Sequence, residues 1–95
     1  MFDYILSANA KEDLKRIYVY GLAEFGEQQA DKYFHDFFSM FDKISVSPYI
    51  YQSVDHIRAG YRRCTCGSDN IYYRINGTNI EIMAILGGQE IDDWL

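Results

Sequence analysis

The chain has 95 residues and a formal net charge of −5 at neutral pH, with 48% hydrophobic and 17% aromatic residues. That length and composition suit a single domain, residues 1–95, with its own core, and exclude a disordered profile. The acidic balance argues against a protein that coats nucleic acid with a basic face, and no apolar run approaches the ~20 residues that cross a bilayer.

The first stretch, MFDYILSANAKED, has an acid at position 3 and no basic n-region, so it does not read as a secretory signal. A cytosolic location and no membrane partner are therefore expected. Charge is unevenly spread: residues 1–54 carry −3, residues 55–86 carry +1 and residues 87–95 carry −3. The locally basic stretch holds Arg58, Arg62, Arg63 and Arg74 against Asp55, Asp69 and Glu81.

Phe2–Leu6 predicts a first strand with Phe2, Tyr4 and Leu6 on one face. Ser7 or Asn9 then caps a helix, Asn9 and Glu12 having capping-box spacing. Leu14, Ile17, Tyr18, Gly21, Leu22 and Phe25 form one amphipathic stripe, ended by Gly26 in a left-handed cap. Ala30, Tyr33, Phe34, Phe37, Phe38, Phe41 and Ile44 repeat that spacing in a second helix, which stops before Pro48. The link at Gly26 is short, so the two helices form an antiparallel hairpin. Phe37 and Phe38 diverge by ~100° on their helix, which places one of them at the edge of the buried face.

Residues 48–59 lack a period and are read as a connector. Three strands follow: Tyr61–Thr65, Asn70–Ile75 and Asn79–Leu86, with turns at Gly67-Ser68-Asp69 and Asn76-Gly77. Strict alternation places Ile80, Ile82, Ala84 and Leu86 together on one face of the last strand. Gly87-Gly88 breaks the pattern and leads into a short acidic tail. The fold class predicted is α+β: an N-terminal strand, a two-helix hairpin, then a three-stranded antiparallel run completing one small sheet.

Cys64 and Cys66 lie on one face of one strand, and without a second ligand pair they read as reduced thiols rather than a metal site. No cofactor and no metal are expected.

The segments AxxDLxxIxxY and FGxxQAxxYF carry Ala10, Asp13, Leu14, Ile17, Tyr20, Phe25, Gly26, Gln29, Ala30, Tyr33 and Phe34. Later come Ser47, Pro48, Ile57, Arg58, Gly60, Tyr61 and Arg62, then GSxxIYYRI and IEIMAIL. In this order and spacing the series resembles the ParE toxins of the RelE/ParE toxin–antitoxin superfamily. The resemblance implies a toxin of a type II toxin–antitoxin pair, with a ParD-like antitoxin as partner and DNA gyrase as target. It also implies action by binding rather than catalysis, with no sequence-specific nucleic-acid contact by the toxin alone.

Candidate residues for antitoxin or target binding are Arg58, Arg62, Arg63, Arg74, Phe38 and Trp94. Arginine fits such a role because its fork binds carboxylates bidentately, although Arg62 and Arg63 must face opposite sides of one strand. The alternative is a RelE-like, ribosome-dependent mRNA endonuclease using Arg62, Arg74 and Tyr72. A third reading is an inactive relative that only binds an antitoxin.

Overall fold

The computed structural model describes residues 2–88 and Ile91. Strand β1 (Asp3–Leu6) leads into helices α1 (Ala8–Phe25) and α2 (Glu27–Val46). Then come β2 (Gln52–Ser53), β3 (Tyr61–Cys66), β4 (Asp69–Asn76) and β5 (Asn79–Leu86). The five strands form one sheet in the order β1-β5-β4-β3-β2; β1 runs parallel to β5 and the other neighbours are antiparallel. Both helices cover one face of this sheet, as the two apolar stripes predict.

Local chemistry explains the boundaries. Ser7, not Asn9, caps α1: its Oγ accepts the Ala10 N–H at 3.0 Å, a contact worth about 1 kcal/mol. The same hydroxyl donates to the Met83 carbonyl at 3.0 Å, so one side chain starts the helix and ties it to β5. Gly26 alone joins the helices at φ +86°, a conformation that side chains with a Cβ avoid. Within α1, Gly21 lets α2 approach closely, since a Cβ there would lie 3.4 Å from the Ala30 Cβ.

The main core lies between helices and sheet. Phe37, Phe41 and Ile44 of α2 meet Leu14 and Ile17 of α1 and Ile71, Tyr73, Ile80, Ile82 and Ile85 of the sheet. Tyr73 is fully buried, yet its hydroxyl reaches the Pro48 carbonyl at 2.5 Å, and burial pushes its pKa well above the usual phenol value. Cys64 and Cys66 are free thiols buried against this core. A second, smaller cluster sits on the opposite face: Val54, Tyr61, Tyr72, Ala84 and Leu86, joined by Ile57, Met83 and Ile91.

Three expectations need correction. The connector contains a two-residue strand, β2, paired with Arg62 and Arg63. The α1 stripe is buried only to Ile17; Leu22 and Phe25, in its last turn, are exposed. On β5, alternation breaks at Met83: Ile82 faces Tyr73 and Ala84 faces Tyr72, leaving one extra residue. This bulge keeps Ile80, Ile82 and Ile85 on the helix side and sends Ala84 and Leu86 to the other.

Candidate binding surfaces

The helical hairpin leaves a row of bulky apolar side chains in solvent. Val19, Tyr20, Leu22 and Phe25 are all exposed, Tyr20 at 61% and Phe25 at 63%, and the two rings meet edge-on with centroids 6.5 Å apart. Beside them lies a groove of about 770 Å³, lined by Ile17, Gly21, Ala30, Tyr33, Phe34 and Phe37, with Arg16, Lys32, Asp36 and Asp69 among its polar walls. The Tyr18 hydroxyl, donating to Asp31 Oδ1 at 2.5 Å, ties the two helices together across it. That contact is the main cause raising the Tyr18 pKa. Single exposed apolar residues are ordinary, but here the Tyr20 and Phe25 rings meet and line the groove together, the kind of exposed apolar patch on which partners dock.

A second apolar group, Val46, Tyr49 and Ile50, is exposed at the other end of α2. Arg62 belongs here. Its Nη1 donates to the carbonyls of Tyr49 (3.2 Å) and Tyr51 (2.8 Å), and its guanidinium lies 5.3 Å from the Tyr49 ring. Together with Tyr73 on Pro48 it pins the loop that leaves α2.

The remaining arginines gather on the sheet face opposite the helices. The motif around Ile57–Arg58–Gly60–Tyr61 folds as a tight loop. The Arg58 N–H bonds Val54 O at 3.0 Å, the Tyr61 N–H bonds Arg58 O at 3.1 Å, and Asp55 accepts the Gly60 N–H at 2.7 Å. That last bond is the main reason the Asp55 carboxyl is held below its usual pKa. The loop sets the Arg58 guanidinium 6.0 Å from the Tyr61 ring centroid. Tyr61 stands opposite Arg74 in the β3–β4 register, and Arg74 Nε donates to Glu81 at 2.5 Å on the next strand. Arg63 shares this face and donates to Gln52 Oε1 at 3.0 Å.

The geometry thus brings Arg58, Arg63 and Arg74 to one surface and sends Arg62 to the other. Tyr72 lies on the surface shared by Arg58, Arg63 and Arg74 but is only 1% exposed, beneath the second cluster. Phe38 is half-buried at the edge of the core, its ring 5.1 Å from Phe34 and 5.3 Å from Phe41. Trp94 lies outside the described residues.

Asp13, one of the motif residues, closes the far end of β5. β1 pairs with β5 only as far as Ile82. Beyond that point α1 supplies the missing partner: Asp13 Oδ2 accepts the Ile85 N–H at 2.9 Å and Arg16 Nη2 donates to the Ile85 carbonyl at 3.1 Å. Ser7 and Asn9 both donate to the Met83 carbonyl. Side chains of the first two turns therefore close an edge that an added strand would otherwise find. The polar residues Ser7, Asn9, Asp13 and Arg16 beside the buried stripe of Ala10, Leu14 and Ile17 were the available signal.

The family model for the ParE toxin of the type II toxin–antitoxin system, parDE, matches residues 4–92. The chain belongs to the ParE toxin family. Among curated relatives, Toxin ParE1 of Caulobacter vibrioides is 37% identical over 86 residues, spanning 90% of this chain and 88% of its own. Toxin ParE1 of Mycobacterium tuberculosis is 31% identical over 84 residues, spanning 87% and 86%. The fold is shared with a solved structure of the chromosomal ParDE system from P. aeruginosa: TM-score 0.81 over 92% of this chain and 96% of that one, at 20% identity. The family match over residues 4–92 and the shared architecture agree with the resemblance read from the sequence.

Proposed function

We propose that this ParE-family chain is the toxic half of a type II pair, that it acts in the cytosol by binding DNA gyrase, and that a ParD-like antitoxin neutralises it. The observation that carries the antitoxin reading is the exposed row Val19, Tyr20, Leu22 and Phe25 beside the hairpin groove. An amphipathic helix fits such a groove through apolar anchors at helical spacing. Arg58, Arg63 and Arg74 give the opposite face a basic surface for carboxylates in an extended segment of the same acidic partner.

The chain works by contact and not by bond cleavage. Cutting RNA needs a base, an acid and cations around one phosphate. Arg62 pairs with Tyr73 and Arg74 with Tyr61, so alternation puts the two arginines on opposite faces, and Tyr72 is buried in the second cluster. That separation supports a binding role. The gyrase target rests on family membership.

Purified protein in gyrase supercoiling and DNA-cleavage assays tests the reading directly. Inhibition with accumulation of cleaved DNA, reversed by the antitoxin encoded beside the toxin, is the expected result. Untouched gyrase together with cleavage of translated mRNA would overturn it.

A further inference from the structure

The apolar groove of the helical hairpin has acidic surroundings, and these narrow the choice of occupant. Among the described residues, the charged side chains lining it are Arg16, Lys32, Asp36 and Asp69. Both cations are already engaged. Lys32 pairs with Asp36 at 3.1 Å, and Arg16 reaches away to the Ile85 carbonyl and to Asp13. Asp69 accepts the Tyr33 hydroxyl at 2.9 Å, a neutral donor that leaves the carboxylate charge in place.

The hairpin tip adds to this imbalance. Residues 24–36 hold Glu24, Glu27, Asp31 and Asp36 against Lys32. Helix carbonyls concentrate negative potential at the end of α1, yet its last turn has no basic residue and carries Glu24 instead. Glu27 offsets the positive start of α2. Glu24 and Glu27 flank Phe25 in sequence, both are exposed, and neither makes an ion pair among the described residues.

From these observations we infer that the groove selects an amphipathic helix with lysine or arginine flanking its apolar face. Apolar anchors cover Tyr20 and Phe25, while the cations meet Glu24, Glu27 and Asp69. The inference rests on the antitoxin reading and extends it: the partner segment is basic along its helix and acidic where it crosses the arginine face. Pairing with the hairpin of a second copy is disfavoured, because two tips of like charge repel.

The probes are two synthetic eighteen-residue helical peptides with the same leucine stripe, one flanked by lysines and the other by glutamates. An exposed ion pair changes affinity by up to ~5-fold. Calorimetry on the isolated protein at low salt should therefore show the lysine peptide binding at least ~10-fold more tightly, and high salt should shrink that preference. Glu24→Gln with Glu27→Gln should weaken the lysine peptide at least ~5-fold. Asp3→Asn with Asp42→Asn removes as much charge near the other end of α2 and should change it less than ~2-fold, which separates the groove from the overall charge of −5.

Equal affinity for the two peptides, no binding by either, or the same loss in both double variants would overturn the inference. The antitoxin encoded beside the toxin supplies a second arm. Capture weakened by Tyr20→Ser with Phe25→Ser but unchanged by Glu24→Gln with Glu27→Gln would overturn the basic flanks and leave the antitoxin reading standing. Capture unmoved by either pair would overturn the groove as the antitoxin's seat.

Discussion

Asp13 offers the sharpest test of how α1 closes the sheet. Its carboxylate, with 13% of the side chain exposed, accepts the N–H of fully buried Ile85 at 2.9 Å. Asp13→Ala deprives that amide of its acceptor, which costs about 1–3 kcal/mol. The accompanying ion pair with Arg16, at 3.7 Å and half exposed on the arginine side, adds less than about 1 kcal/mol. A loss near 2 kcal/mol lowers Tm by about 8–16 °C in a domain of this size. Asp13→Asn keeps a carbonyl acceptor but loses the charge, so about half the effect is expected. Thermal and urea unfolding measure the cost, and amide hydrogen exchange at Ile85 locates it. The reasoning fails if Asp13→Ala stays within about 0.5 kcal/mol of wild type, or if Ile85 exchanges no faster.

The β3–β4 turn gives a second prediction. A Cβ at Gly67 would fall 2.6 Å from the Tyr33 ring at φ +59°, so Gly67→Ala should cost at least about 1–2 kcal/mol by urea unfolding. Alkaline titration gives a third. Desolvation, with Asp69 adding to it, pushes Tyr33 from 10.0 up to about 12, and desolvation likewise pushes Cys64 from 9.0 up to about 11. The fold favours the protonated form of each, so their contribution is intact below pH 9 and is lost as pH rises through 11 and 12. Urea midpoints at pH 8, 10 and 11.5 should therefore fall from pH 8 to 10 and further to 11.5, and Tyr33→Phe should flatten the upper part of that fall. Lastly, Tyr20→Ser with Phe25→Ser should leave stability within about 1 kcal/mol, both sites being exposed. The same pair should weaken antitoxin capture at least tenfold by calorimetry, whereas Arg62→Ala, which unpins the loop after α2, should lower Tm.

Much of the fold was readable because each element carries its own period and its own stop. Helices of 18 and 20 residues follow from the spacing of Leu14 to Phe25 and Ala30 to Ile44, and Gly26 and Pro48 mark where they end. The tertiary details were not readable. Nothing near Met83 announces a bulge; it falls where β1 ends and Ser7 and Asn9 take over the Met83 carbonyl, a contact more than 70 residues away in sequence. β2 is two residues long, too short for alternation to be seen, and exists because β3 offers it an edge. Side-chain parity on β3 was readable, and it separated Arg62 from Arg63. What alternation could not say is that Arg62 would turn to the carbonyls of Tyr49 and Tyr51 instead of to solvent.

The two halves of the surface follow from how the sheet is covered. Helices α1 and α2 shield one face, and the last turns of α1 leave Tyr20 and Phe25 exposed on the outer side. Among the described residues, the 54–60 loop and Ile91 cover the other face, burying Tyr72 and Ala84 and leaving Arg74 exposed. Between the faces, the β5 edge beyond Ile82 is closed by Ser7, Asn9, Asp13 and Arg16. A partner adding a strand is thereby turned away from that edge. The outer strands of the sheet are β1 and β2; on the function proposed above, the apolar hairpin and the arginine face are two surfaces of unlike chemistry that one long segment, apolar in one part and acidic in another, would bridge.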